Sequence, residues 1–151
     1  SVISAPSMSV EEPVGFSRFE RALVQANLIA DRREILAGEK FDLVIQVANL
    51  GKNIAFLIRM EDVIPQGFDL VEKPEKCLVD DGFLSFKGRK LGPLETGDMK
   101  LVLKPKKKGK FVFKPKLQYM DESGEHKSCE LEQVTVTVKE LGIRGWLKGQ
   151  R

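Results

Sequence analysis

Alternation of apolar and polar residues constrains the fold of this chain more than any other feature of its sequence. In the segment 41–48, four large apolar residues occupy alternate positions: Phe41, Leu43, Ile45 and Val47. Because successive side chains of a strand point to opposite faces, this spacing puts all four on one side. The pattern returns in three later segments: Met99, Leu101 and Leu103; Phe111 and Phe113; Val134, Val136 and Val138. The sequence therefore predicts β-strands that bury one face.

Turn residues separate these segments at short intervals. Asn49 and Gly51 follow the strand predicted over 41–48, and Pro65 and Gly67 end the next one. Proline removes a ladder donor, and glycine permits the backbone angles of a tight turn. About seven such strands, without a long helical pattern, predict an all-β, immunoglobulin-like two-sheet β-sandwich with mainly antiparallel strands. A closed barrel is the main alternative.

The periodic pattern covers only part of the 151 residues. Residues 1–18 contain many Ser, Pro and acidic residues and predict a flexible N-terminal tail or linker. Residues 19–139 form the predicted β-sandwich domain. Residues 140–151, where Gly142 and Gly145 disfavour a stable helix, predict a C-terminal tail or a linker to a following domain, and a tail packed back on the sandwich is the alternative. No apolar run approaches the roughly 20 residues of a membrane helix, so we expect no membrane insertion within this segment.

The residue types that carry chemistry are few and scattered. Cys77 and Cys129 lack C-x-x-C spacing and predict free, buried thiols, with a single bridge as the alternative. His126, the only histidine, follows a turn and is predicted to face solvent. Acidic pairs such as Asp121-Glu122 lack the ligand spacing of a calcium loop and predict solvated turns. No glycine-rich phosphate loop occurs. We therefore expect no catalytic, cofactor-binding or metal-binding residue, and no enzyme.

Lysines form the one candidate interaction surface. The net charge of +3 is small for a dedicated nucleic-acid binder, but basic residues concentrate near position 106. They occupy outward positions of two predicted neighbouring strands and the turn between them: Lys100, Lys104, Lys106, Lys107, Lys108, Lys110, Lys114 and Lys116. If those strands are neighbours in space, the lysines form a basic patch that would attract an acidic protein surface or a polyanion. No exposed aromatic residue interleaves with the lysines, so base stacking is not provided. Lysine also protects sheet edges from aggregation, which is the structural alternative.

Several turn motifs resemble a known family. The segments are Ala37-Gly38-Glu39-Lys40, then Val47 to Gly51, then Glu61 to Phe68 with its Asp62-Val63-Ile64-Pro65-Gln66-Gly67, and finally Pro105 to Phe113. Together they resemble the conserved-repeat domains of archaeal and bacterial multidomain proteins, over about Ile35 to Val138. That resemblance implies an immunoglobulin-like sandwich of largely unassigned function and brings no catalytic residues.

Fold and resemblance together predict a non-catalytic structural or protein-interaction module of a larger archaeal or bacterial protein. Its partner would be an unidentified protein or the neighbouring domains of the parent chain. Binding of a polyanion, such as nucleic acid or an anionic surface, through the lysine-rich face is the alternative. The lysine content differs from that of surface-exposed members of the family, which favours a cytoplasmic location, with the cell surface as the alternative.

Overall fold

The computed structural model describes residues 19–80 and 82–140. Residues 1–18 of the predicted N-terminal tail, and residues 141–151 of the predicted C-terminal tail, lie outside the described residues. The strands are β1 Val24–Ala30, β2 Glu34–Leu36, β3 Phe41–Asn49, β4 Ala55–Glu61, β5 Phe68–Glu72, β6 Leu78–Asp80, β7 Phe83–Leu91, β8 Thr96–Pro105, β9 Gly109–Phe113, β10 Lys116–Met120, β11 His126–Glu130 and β12 Val134–Lys139.

The strands assemble into a two-sheet sandwich, as the alternation predicts. One sheet has the order β1-β3-β8-β5. The other layer consists of a five-stranded sheet, β11-β10-β4-β7-β6, and a three-stranded sheet, β2-β12-β9, that continues it. Only Lys114 and Pro115 separate β9 from β10, and the Leu131 N–H donates to the Pro115 carbonyl at 3.1 Å. The hairpin β10–β11 therefore runs on into the pair β9–β12.

The structure has twelve strands where the sequence predicts about seven. Part of the excess comes from interruptions within longer strands. Pro115 has no N–H to donate, so the strand made of β9 and β10 breaks beside it. The strands β2 and β6 have only three residues each, and β11 lacks the apolar alternation that would predict it. The alternation of apolar and polar residues indicates which side chains are buried, but it does not show where the hydrogen bonds between two strands are interrupted.

The first strand changes sheets. β1 pairs antiparallel with β3, with Ala26 opposite Val47. β2 pairs parallel with β12, with Ile35 opposite Val138. Between them, the Arg33 carbonyl accepts a hydrogen bond from the Thr137 N–H at 2.8 Å. The first strand thus joins the two sheets along one side of the sandwich.

The core follows the predicted period of two. Along β3, Phe41, Leu43, Ile45 and Val47 are buried, whereas Gln46 is exposed. Val134, Val136 and Val138 of β12 are also buried. Burial of alternate apolar side chains between the sheets supplies the main driving force for this fold. Within residues 19–80 and 82–140, no helix has the length and apolar character needed to cross a membrane.

Phenylalanine rings fill one end of the sandwich, which we call the aromatic end. The Phe68 ring lies edge-on to Phe111 at 4.9 Å between centroids and to Phe113 at 5.3 Å. Phe41 contacts Phe68 at 5.7 Å and Phe113 at 6.0 Å, also edge-on. These are the preferred geometries of aromatic pairs, and the rings need no hydrogen-bond partner.

Candidate interaction surface

The eight predicted lysines are divided between two sheets and the loop that joins them. The strands β8 and β9 belong to different sheets, so they are not hydrogen-bonded neighbours, which was the condition for a single patch. Lys100 and Lys104 project from β8 on the outer face of one sheet. Lys110, Lys114 and Lys116 follow the strand of β9 and β10 in the other sheet. Lys106, Lys107 and Lys108 lie in the loop that crosses between the sheets at the aromatic end. Period two shows which side chains point outward but not which sheet carries them.

Acidic neighbours offset part of this charge. Lys100 Nζ lies 3.5 Å from Asp42 Oδ2, and Lys106 Nζ lies 3.5 Å from Asp69 Oδ1. Lys108 Nζ lies 3.8 Å from Glu140 Oε2. These pairs are exposed, so each contributes little to stability. Their effect on recognition is larger, because a carboxylate beside each ammonium lowers the local positive potential. Binding of a polyanion to the lysines stays a prediction.

Both cysteines are free, in agreement with the first of the two alternatives. Cys77 is buried, and burial raises the pKa of its thiol above 9.0. Cys129 is half-buried, and burial likewise raises its thiol pKa. A raised pKa leaves little thiolate at neutral pH, so neither residue has the character of a nucleophile. His126 is exposed in β11, as predicted.

The prediction that Asp121-Glu122 is a solvated turn is wrong for Asp121, which is fully buried. Asp121 Oδ1 accepts hydrogen bonds from Ser123 Oγ at 2.6 Å, from the Ser123 N–H at 2.9 Å and from the Glu125 N–H at 3.0 Å. Arg21 Nη1 lies 3.3 Å from Asp121 Oδ2, and Lys127 Nζ lies 3.6 Å from it. A cation 100 residues away in sequence thus takes part in burying this carboxylate.

The pKa of Asp121 reflects two opposing effects. Burial by itself would raise the pKa, because it disfavours the charged form. The hydrogen bonds from Ser123 and Glu125, and the charge of Lys127, outweigh burial and lower the pKa from 3.8 to about 2. Asp121 is therefore ionised at neutral pH and is a poor proton donor or acceptor for catalysis. Its hydrogen bonds hold the turn.

Asn49 is the second buried polar residue of the described chain. Its Oδ1 accepts hydrogen bonds from the Leu23 N–H at 3.1 Å and the Gly51 N–H at 3.0 Å. Its Nδ2 donates to the Asn53 carbonyl at 2.8 Å and the Leu91 carbonyl at 3.0 Å. These four bonds satisfy both amide protons and both lone pairs of the oxygen. The side chain ties three loops together at the end of the sandwich that contains Asp121, which we call the polar end.

Gly51 allows its backbone to lie very close to the backbone of Arg21 and Ala22 at the polar end. A Cβ atom at this position would lie 1.9 Å from the Arg21 carbonyl oxygen and 2.8 Å from the Ala22 Cα. Both obstacles are backbone atoms, so they cannot move aside cheaply. The N-x-G signal of Asn49 and Gly51 predicts the turn, and the contact with Arg21 adds a packing reason for glycine.

Within residues 19–80 and 82–140, no three His, Cys, Asp or Glu side chains converge as metal ligands.

Comparison with known proteins shows the fold and no family. No family model matches the chain, and no curated protein matches it. The structure is similar to the major pilin subunit BcpA of Bacillus cereus (TM-score 0.55, 8% identity, 78% of this chain, 40% of the pilin). It is also similar to the major pilin SpaD of Corynebacterium diphtheriae (0.56, 11%, 76% of this chain, 34% of the pilin). A non-cellulosomal cohesin of the archaeon Archaeoglobus fulgidus matches with TM-score 0.51 and 10% identity, over 84% of this chain and 98% of the cohesin.

These likenesses confirm an immunoglobulin-like β-sandwich of a kind found in bacterial and archaeal proteins. The chain spans less than half the length of either pilin. Identities of 8–11% indicate a shared fold only. The resemblance to conserved-repeat domains stays a prediction.

Proposed function

We propose that this domain is a non-catalytic structural or protein-interaction module of a larger protein. The observation that carries the proposal is the use of its buried polar residues. Asn49 carries the one buried side-chain amide and Asp121 the one buried carboxylate of residues 19–80 and 82–140, and both bind loop backbone. An active site needs polar groups held ready for a substrate, and these two are already engaged.

The sheet edges supply surfaces for such a role. β1 and β5 flank one sheet, and β6 is the last strand of the other. Edge strands present unpaired backbone groups that can add a strand from a partner. One similar structure, the pilin BcpA, is named as a subunit, which supports a role in assembly. The two free thiols support a cytoplasmic location, because disulfides are rare in a reducing compartment.

The proposal is tested by in-cell cross-linking of the 151-residue chain, followed by calorimetric titration with each purified protein recovered. We expect saturable binding to at least one protein, with an affinity that changes little between 50 and about 200 mM salt. Heparin is the control ligand. Tight heparin binding that falls steeply with salt, without a protein partner, would favour the polyanion alternative. A reproducible turnover abolished by one side-chain substitution would overturn the proposal.

A further inference from the structure

The strand β8 has a neighbouring strand along the whole of one edge but along only part of the other. Along one edge it pairs with β3, from Thr96 opposite Ala48 to Leu103 opposite Phe41. Along the other edge, β5 pairs only with its C-terminal end, from Val102 to Pro105. In the part of the chain that the structure describes, residues 96–101 therefore have no strand beside them on the β5 side.

The alternation of hydrogen-bonded residues along β8 shows which backbone groups face this open side. The Asn49 N–H donates to the Glu95 carbonyl at 3.0 Å, in the same register as the β3–β8 ladder. Hydrogen-bonded pairs alternate along an antiparallel ladder, so residues 97, 99 and 101 bond to β3. The N–H and C=O groups of Asp98 and Lys100 therefore point toward the open side.

Proline explains why β5 stops short. Its ladder with β8 ends at Glu72 opposite Val102. The next hydrogen-bonded position would bring Pro74 opposite Lys100, and proline has no N–H to donate. The Pro74 carbonyl instead accepts a hydrogen bond from Cys77 Sγ at 3.3 Å. Lys76 then adopts a left-handed φ of 60°, and the chain turns away from the sheet.

A cavity lies beside this uncovered stretch. Its volume is about 520 Å³, and its lining contains Pro74, the basic residues Lys73, Lys76, Arg89 and Lys100, and the acidic residues Glu72, Glu75 and Asp98. That volume falls within the range of ligand sites, roughly 300–1,000 Å³. Met99 also lines the cavity and is buried, so it provides an apolar floor. We call this feature the β8 slot.

We propose that the β8 slot binds an extended segment of a partner protein, which adds a strand antiparallel to β8 with the pattern acidic–x–basic. The inference rests on the proposed role as an interaction module and names the site. An antiparallel segment follows the direction of β5. Its acidic residue lies opposite Lys100 and its basic residue opposite Asp98, and their backbone N–H and C=O groups bond to β8.

Charge complementarity specifies the order of the two charged residues. Asp98 and Lys100 are exposed and project from the same outer face, because Met99 and Leu101 face the core. Opposite charges directly across two strands stabilise their pairing, and like charges oppose it. Lys100 Nζ also lies 3.5 Å from Asp42 Oδ2, so the acidic residue of the partner shares this ammonium with Asp42. The intervening residue faces Met99 and is apolar.

Short peptides test the proposal directly. The probes are capped Val-Glu-Val-Lys-Val and its charge-reversed form Val-Lys-Val-Glu-Val, titrated into the isotope-labelled 151-residue chain by NMR. We expect amide shifts at residues 96–100 and a three- to tenfold preference for the first peptide. N-methylation of its Glu and Lys amides should weaken binding about tenfold, because both amides donate to β8. The matched control is N-methylation of the central Val, whose amide points away.

A charge-exchanged protein tests the specificity. Asp98→Lys combined with Lys100→Asp leaves the net charge unchanged and alters two exposed side chains. We expect an unchanged unfolding temperature and a reversed peptide preference. Equal binding of both peptides, equal effects of all N-methylations, or the lack of any shift at residues 96–100 would overturn the site. A partner protein that binds the wild-type and exchanged chains equally would contradict binding at the β8 slot but leave the proposed interaction role intact.

Discussion

The two ends of the sandwich are closed by different physical means. At the aromatic end, Phe41 and Phe113 are buried and meet edge-on. At the polar end, Asn49 and Asp121 are equally buried but hold the loops through directed hydrogen bonds. Apolar packing depends mainly on volume, whereas a buried polar group depends on each partner being in place. The polar end therefore specifies the positions of the loops, and the aromatic end mainly supplies cohesion.

The largest effect is expected from Gly51→Ala at the polar end. The added Cβ would clash with the backbone of Arg21 and Ala22. We expect a loss of more than about 4 kcal/mol in the free energy of unfolding, measured by urea titration. Gly97→Ala is the matched control, since its nearest neighbour is Val47 Cγ2 at 3.6 Å, an ordinary contact. Equal stability of the two variants would show that the backbones at the polar end can separate.

Leucine substitutions compare the two ends directly. Asn49→Leu removes four hydrogen bonds and leaves buried backbone groups unpaired, so we expect a loss of about 3 kcal/mol or more. Phe113→Leu keeps an apolar side chain in place and should cost less than about 2 kcal/mol. Both are measured by the same urea titration. The reverse order would contradict the distinction drawn between the ends.

Acid should destabilise the polar end selectively. The folded-state pKa of Asp121, about 2, lies below the ordinary 3.8, so its stabilisation is present above pH 3.8 and is lost as pH falls through 2. The shift corresponds to about 2 kcal/mol. Between pH 5 and 2, the wild type should therefore lose about 2 kcal/mol more than Asp121→Asn, which cannot ionise. Parallel pH profiles of the two proteins would show that the folded-state pKa of Asp121 is not lowered.

The smallest effect is expected in the exposed lysine loop at the aromatic end. Lys106→Ala breaks the pair with Asp69, in which both side chains are 58% exposed. We expect a change within about 0.5 kcal/mol in thermal unfolding. A change above 1 kcal/mol would mean that surface charge contributes to closing this end.

The core could be predicted from the sequence because period two is a local signal. Phe41, Ile45 and Val136 are predicted to be buried and are at most 1% exposed. Sheet membership is not local, since β8 and β9 follow each other in the chain yet join different sheets. For this reason the sequence pattern cannot show that Lys100 and Lys110 lie on different sheets.

The burial of Asp121 could not be predicted from the local sequence pattern for a similar reason. Asp121-Glu122-Ser123-Gly124 has the composition of a solvated turn. Its burial depends on Arg21, and Ala22 also donates its N–H to Glu122 Oε1 at 3.1 Å. The open edge of β8 follows from the place where β5 ends, and Pro74 is the only local sign of it.

The parallel pairing of β2 with β12 has a mechanical consequence. The pair is flanked by the Thr137 N–H on the Arg33 carbonyl and the Ala37 N–H on the Lys139 carbonyl, each at 2.8 Å. Tension applied through residue 33 and residue 139 pulls these two strands lengthwise past each other, so their bonds share the load and must break together. A hairpin such as β6–β7 would instead unzip bond by bond. Single-molecule pulling between these positions should meet high resistance, and a low rupture force would mean that the β2–β12 patch bears no load.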